Sequence, residues 1–263
     1  MIFHDIRQRM ARGEVTLGTL SLIPEPALLE IAGRLGYDFF IIDTEHTASD
    51  GRLVEHLVRA GAGAGLSPLV RVRSLDEKEL LWTLDAGAGG IVLPLLEDPE
   101  EAARFARVCR YPPDGERTVC SGTRAASWGA RRDSFTDYIE EANANVLTVG
   151  LIETPKAVER IDELAKEDID VFFVGRADLA MKMGLHYAPQ HLDVVAATEK
   201  VLRAVIDAGK VAGVLTYSVE DSEHWLDFGC RFIVFNQPEF ILANAYRDAI
   251  TSLSGRAEMA RRQ

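Results

Sequence analysis

Along the 263 residues, short apolar runs alternate with longer segments in which apolar residues recur every three or four positions, and the alternation repeats eight times. The runs at 15–22 (VTLGTLSL), 37–43, 67–72, 89–94, 146–152, 168–175, 211–217 and 231–236 are rich in β-branched and aromatic residues and predict strands. Between them, 23–36, 44–65, 75–87, 98–110, 135–144, 154–167, 194–210 and 219–229 carry helical spacing, with 238–253 closing the chain and 2–12 forming a short amphipathic helix before the first strand. Strands that are apolar throughout, instead of alternating, are expected where both faces are buried. Eight such βα units over this length fit a single (β/α)₈ barrel spanning 1–263 with one extra amino-terminal helix; a doubly wound open sheet is the alternative.

The rhythm breaks once, at 111–130 (YPPDGERTVCSGTRAASWGA), which has no period and many turn formers, as functional loops often do. Composition supports a globular protein with a sizeable core: 47% hydrophobic and 27% charged residues. A formal net charge of −12 argues against broad nucleic-acid binding, while leaving room for an anionic small substrate in one arginine-lined cleft. Cys109, Cys120 and Cys230 are too few and too scattered for a disulfide framework or a zinc signature, so a reducing, cytoplasmic setting is expected. Neither a signal-peptide core nor an 18-residue apolar run is present, so no membrane partner is expected.

In a parallel αβ barrel, functional side chains gather just past the carboxyl ends of the strands. Ionisable residues stand at four of the eight predicted ends: Asp43-Thr44-Glu45-His46, Arg71, Glu153 and Asp178. Glu153 and Asp178 close consecutive units, and two hard oxygen ligands suit a Mg²⁺-type cation that keeps positions open for water or substrate. The competing reading is that each acid caps a helix, since Glu153-Thr154-Pro155 would open one well. A cation held there could chelate a 2-oxo acid, Arg71 could stabilise a developing oxyanion, and His46 could move protons. Equally, His46 could be a capping residue, and Arg71 could pair with an interior carboxylate. Arg73 would point away from Arg71 along an extended strand, and Asp85 reads as a turn residue. Neither a dinucleotide fingerprint, a phosphate-binding P-loop nor a nucleophile elbow occurs, and no lysine lies within a strand, which favours a cation-stabilised enolate over an imine.

Together these segments resemble the HpcH/HpaI class II pyruvate aldolases. The likeness runs through GYDFFIIDTEH (36–46), PLVRV (68–72), LDAGAGGIVLP (84–94), RYPPDGERTV (110–119), YIEEAN (138–143), IETPKAVE (152–159), VGRADLAMKMG (174–184) and GKVAGVL (209–215). The resemblance implies a barrel assembled as a hexamer or trimer with exchanged last helices. It also implies a divalent metal (Mg²⁺, Mn²⁺ or Co²⁺) on Glu153 and Asp178, and cleavage of 4-hydroxy-2-oxo acids to pyruvate, or a related 2-oxo acid, and an aldehyde. Arg71 falls on the arginine that steadies the enolate, His46 on the acid–base histidine and Asp85 on its carboxylate partner. Gly175, Ala177 and Asp178 fall on the substrate-carboxylate loop, with Leu215 near the substrate. Oxaloacetate decarboxylation, or carbon–carbon bond formation of the macrophomate synthase kind, is the alternative fate of the same enolate. Two departures stand out: Leu151 where many members carry Gln, and Arg176 where many carry Pro, the latter adding a cation at the rim that would favour an anionic acceptor.

Overall fold

Eight parallel strands close on themselves in sequence order in the computed structural model, which describes residues 5–130 and 134–261. They are β1 (Thr16–Ser21), β2 (Phe39–Asp43), β3 (Ser67–Arg71), β4 (Gly90–Leu93), β5 (Leu147–Ile152), β6 (Val171–Val174), β7 (Val211–Thr216) and β8 (Phe232–Phe235). Pairing of β1 with β8 at Thr16↔Phe232 completes the ring, so the barrel expectation holds and the open sheet is excluded.

The helices are α1 (Ile6–Ala11), α2 (Pro26–Arg34), α3 (Gly51–Gly63), α4 (Glu77–Asp85), α5 (Pro99–Cys109), α6 (Phe135–Asn145), α7 (Pro155–Glu159), α8 (Ile161–Leu164), α9 (Arg176–Lys182), α10 (Leu192–Asp207), α11 (Val219–Phe228) and α12 (Pro238–Arg261). Most start on a side chain that satisfies otherwise orphaned amides. Asp50 caps α3, Asp76 caps α4, Asp98 caps α5, and Ser134 with Asp137 forms a capping box on α6. The helix expected over 154–167 is broken in two, because Arg160 leaves the helical region (φ −97°, ψ 11°) and its guanidinium bonds Asp98 and Glu163. The amino-terminal helix is present from Ile6; its expected start at residue 2 lies outside the described residues.

Two layers of apolar side chains hold the barrel. Inside the ring, Phe39 stacks on Phe232 (4.2 Å between centroids) and Phe173 meets Phe232 edge-on. Gly18 makes room for that stack, since a Cβ there would stand 2.2 Å from the Phe39 ring. Ile6 and Met10 of α1 belong to the same cluster and plug the amino end of the barrel. Closed at that end, the barrel opens at the carboxyl edges of its strands. Outside the ring, the strands' outward residues pack on the helices around Phe40, Leu57, Phe105, Phe172 and Trp225.

One helix departs from the expected packing. Glu239 anchors the first turn of α12 by accepting from the Leu22 amide (2.9 Å) and the Ser21 hydroxyl (2.8 Å). Beyond it, Tyr246, Ile250 and Leu253 are exposed, each by more than 60%. Where an eighth helix would lie, between α2 and α11, there is instead a groove of about 380 Å³ lined by Leu17, Leu35, Tyr37, Val219, Leu226 and Phe235.

Candidate active site

A cavity of about 240 Å³ opens at the carboxyl edge of the barrel, and seven of the eight predicted site residues line it, among them His46, Arg71, Glu153, Ala177, Asp178 and Leu215. Gly175 lines it as well; Asp85 does not. Leu151 and Phe173, the upper layer of the barrel core, form the apolar base beneath the charged groups.

Glu153 follows β5 directly and is buried. It is not a cap: α7 is capped by Thr154, whose hydroxyl accepts from the Ala157 amide (3.1 Å), and Pro155 takes the next position. The carboxylate is therefore free of the duty that the competing reading assigned to it. Its Oε1 accepts from the Leu95 amide at 2.8 Å, and Leu95 holds a left-handed backbone (φ 55°) that a side chain disfavours. Oε2 lies beside Gly175, where a Cβ would come within 2.9 Å of it. Asp178 arrives in the first turn of α9, a short helix that the strand–helix pattern did not predict. Among the described residues neither Glu153 nor Asp178 is held in a salt bridge.

Burial, above all, pushes the Glu153 carboxyl up to about 7; the Leu95 amide opposes this, while the charges of Asp178 and Glu45 add to it. Below that value the neutral acid predominates. Between the ordinary carboxyl value of 4.5 and about 7, the folded state holds a proton that the unfolded state has released. This contribution to stability is complete below the lower value and lost as pH rises through the upper one. Urea unfolding of the cation-free protein is expected to show stability falling over that window, and the slope to flatten in Glu153→Gln.

Arg71 ends β3 opposite Asp43, the last residue of β2, at matched register. Two parallel bonds join them, Nε to Oδ1 at 3.0 Å and Nη2 to Oδ2 at 2.7 Å, and the Asp43 side chain is fully enclosed. Burial works against the charge on Arg71, but this fork outweighs it and its pKa is raised. Nη1 is left facing Glu45 at 3.4 Å. Asp43 also organises the following turn, accepting from the Glu45 amide at 2.9 Å, while Thr47 donates to its carbonyl oxygen. That turn presents Glu45, its pKa raised chiefly by burial, 3.7 Å from His46 Nε2, and leaves His46 57% exposed at the cavity mouth. Asp43, Glu45 and the Leu95 amide were not assigned from sequence. The first two stood in the DTEH strand end, whereas nothing in PLLED marks Leu95.

Two expectations are corrected. Asp85 ends α4 and so lies at the amino end of the barrel, opposite His46, with its carboxylate taken by Arg117 (2.7 Å). Within one chain it does not pair with His46. Arg176, expected as a free cation at the rim, is buried: both terminal nitrogens bond Asp221, Nη2 also donates to the Leu215 carbonyl (2.7 Å), and the guanidinium lies 5.4 Å from the Trp225 ring centroid. It ties the α9 loop to α11 and offers no charge to a ligand.

The site can thus present one buried and one exposed carboxylate, an oriented guanidinium and an accessible imidazole to one small molecule. The family model for the HpcH/HpaI aldolase/citrate lyase matches residues 21–236. The chain belongs to that family. It is 33% identical over 251 residues to the hydroxypyruvate/pyruvate aldolase of Cupriavidus necator, covering 95% of this chain and 92% of that protein. It is 33% identical to the 4-hydroxy-2-oxovalerate aldolase of Novosphingobium aromaticivorans, covering 94% and 93%. Among solved structures, an HpcH/HpaI aldolase/citrate lyase family protein from Burkholderia cenocepacia superposes with a TM-score of 0.89 at 32% identity, covering 95% of this chain and 99% of that one. As a member of the HpcH/HpaI family, the chain is an enzyme, a carbon–carbon lyase of the aldolase type. No helix among the described residues is long and apolar enough to cross a membrane.

Proposed function

We propose that this HpcH/HpaI enzyme is a divalent-metal-dependent aldolase that cleaves a 4-hydroxy-2-oxo acid to pyruvate, or a related 2-oxo acid, and an aldehyde, and also runs the reverse addition. The observation that carries the reading is a buried, cap-free Glu153 beside Asp178 in the same cavity as Arg71. Glu153, whose charge burial disfavours, and the exposed Asp178 beside it are a donor set that a cation would satisfy, and their hard oxygens fit Mg²⁺, Mn²⁺ or Co²⁺. Among the described residues no third acidic, His or Cys ligand joins them, which leaves coordination positions for water and substrate. Bound there, the metal supplies Lewis-acid polarisation of the substrate's keto group.

The chain's own groups do the rest. Amides of the first turn of α9, at Ala177 and Asp178, have no partner inside the helix and receive the substrate carboxylate. Arg71, locked by Asp43 through Nε and Nη2, has Nη1 left, 3.4 Å from Glu45, to meet the oxygen that gains charge as the C3–C4 bond breaks. His46 takes the C4 hydroxyl proton through a water as the aldehyde forms, the electron pair of the broken bond moves into the enolate, and the imidazolium then returns the proton through water to C3. Leu151, Phe173 and Leu215 keep bulk water from that carbon. After dialysis against chelator, pyruvate release from 4-hydroxy-2-oxo acids is expected to vanish and to return with Mg²⁺, Mn²⁺ or Co²⁺. Full activity in the dialysed protein would refute the reading.

Assembly follows from the same reading. The exposed apolar residues of α12 and the empty groove between α2 and α11 support exchange of α12 between copies, giving a trimer or hexamer. Light scattering is expected to report three or six chains, and a chain ending at Asn236 to dissociate; a monomeric full-length protein would exclude the exchange. The free thiols of Cys109, Cys120 and Cys230 suit a cytoplasmic location.

A further inference from the structure

The chemistry of the acceptor is written in the apolar lining that the cavity carries beside its charged groups. Leu22, Leu151, Phe173, Leu215, Tyr217 and Phe240 supply its walls, converging from β1, β5, β6, β7 and α12. The Tyr217 ring meets Phe240 at 6.2 Å, and its hydroxyl, its pKa raised chiefly by burial, bonds Tyr187. With Gln237, these are neutral hydrogen-bonding groups at the edge of an otherwise apolar chamber.

Charge in the cavity runs the other way from what a second substrate carboxylate would need. Arg71 is matched by Asp43 and Arg176 by Asp221, each in a bidentate pair. Glu45, Glu153 and Asp178 remain without an arginine of their own, apart from the 3.4 Å approach of Arg71 Nη1 to Glu45. Lys182 acts on Glu153 and Glu97 from α9 but does not line the cavity. The one unpaired donor of Arg176, Nε, is fully enclosed, so a ligand oxygen cannot reach it. A divalent cation offsets two carboxylates, and the carboxylate of pyruvate restores one negative charge. An acceptor bearing its own carboxylate would therefore enter an apolar chamber under a negative field, losing hydration with no partner for its charge.

We propose that the acceptor aldehyde is a neutral, apolar molecule, aliphatic or aromatic, and not an aldehydic acid. The inference rests on the aldolase reading and names the substrate class of that site. It replaces the anionic acceptor that Arg176 suggested in the sequence, because Arg176 is already neutralised by Asp221.

With full-length protein, Mg²⁺ and pyruvate, kcat/KM is to be compared for hexanal, benzaldehyde and succinic semialdehyde. The two neutral aldehydes are expected to exceed the acid by at least about tenfold, the scale of one unpaired polar group in a pocket. Equal or better use of succinic semialdehyde overturns the proposal. Hydrogen–deuterium exchange at the pyruvate methyl group, followed without any aldehyde, separates the two levels. Absent exchange removes the aldolase reading and this inference with it; exchange combined with a preference for the acid removes this inference alone. Should exchange occur and no aldehyde turn over, its saturable slowing by 1-hexanol but not by 4-hydroxybutyrate upholds the proposal, and the reverse pattern overturns it.

Discussion

Glu153→Gln is expected to lower kcat/KM by roughly 10³-fold while leaving the fold intact, and to raise the stability of the cation-free protein near neutral pH. The two effects share one cause. The carboxylate is buried, and keeping it charged costs free energy, as its pKa of about 7 records. An amide of the same shape can still accept from the Leu95 amide and sheds that cost. It also sheds the charge that, on the reading above, grips the cation, with the several kcal/mol of charge stabilisation that a cation supplies. Asp178→Asn is expected to lose activity on a similar scale. Because Asp178 is less enclosed, it should bring less gain in stability. Steady-state rates with saturating Mg²⁺, alongside urea unfolding at pH 7.5, measure both halves. A Glu153→Gln enzyme within tenfold of the parent would contradict the assignment.

Asp43→Ala is expected to be the costliest single change to stability among the site residues. It removes both bonds to Arg71 and leaves a buried guanidinium without its counter-charge, a situation that typically costs about 3–5 kcal/mol. The acceptor for the Glu45 amide is lost as well. If the penalty arises from the stranded cation, the same change in an Arg71→Met background should cost about 2 kcal/mol less than it does alone. Additive effects in that double-mutant cycle would mean that Asp43 acts through the turn and not through Arg71. Activity should fall together with stability, since Arg71 keeps its aim only while Asp43 holds it.

The barrel was legible because its signal is local. Each strand is an apolar run such as LTVGLI or VFFV, most helices repeat at helical period, and caps such as Asp50, Asp76 and Ser134 sit where the pattern changes. The placement of Glu153, Asp178, Arg71 and His46 in one cavity followed from the same logic, since strand ends converge in a closed parallel barrel. What sequence could not show was pairing over distance. Arg176 and Asp221 are 45 residues apart, and the charge that one reads as free is cancelled by the other. Asp43 and Arg71 are 28 apart, so the role of Asp43 emerges only from the register of β2 on β3. Asp85 stands apart from His46 within one chain for a different reason: a motif match gives no information on which end of the barrel a residue occupies, and the end of α4 is the far one. The detachment of α12 is equally invisible to periodicity, which reports an amphipathic helix but not the surface it covers.

At the centre of the proposal is a cation that Glu153 and Asp178 would grip and that would let this site turn pyruvate into its enolate. Loss of the methyl proton signal of pyruvate in D₂O, with no aldehyde present, reads that step alone. Exchange is predicted in the parent enzyme with Mg²⁺, Mn²⁺ or Co²⁺, and neither in chelator-treated protein nor in the Glu153→Gln, Asp178→Asn double variant. Exchange that persists at the parental rate in that variant would contradict the account.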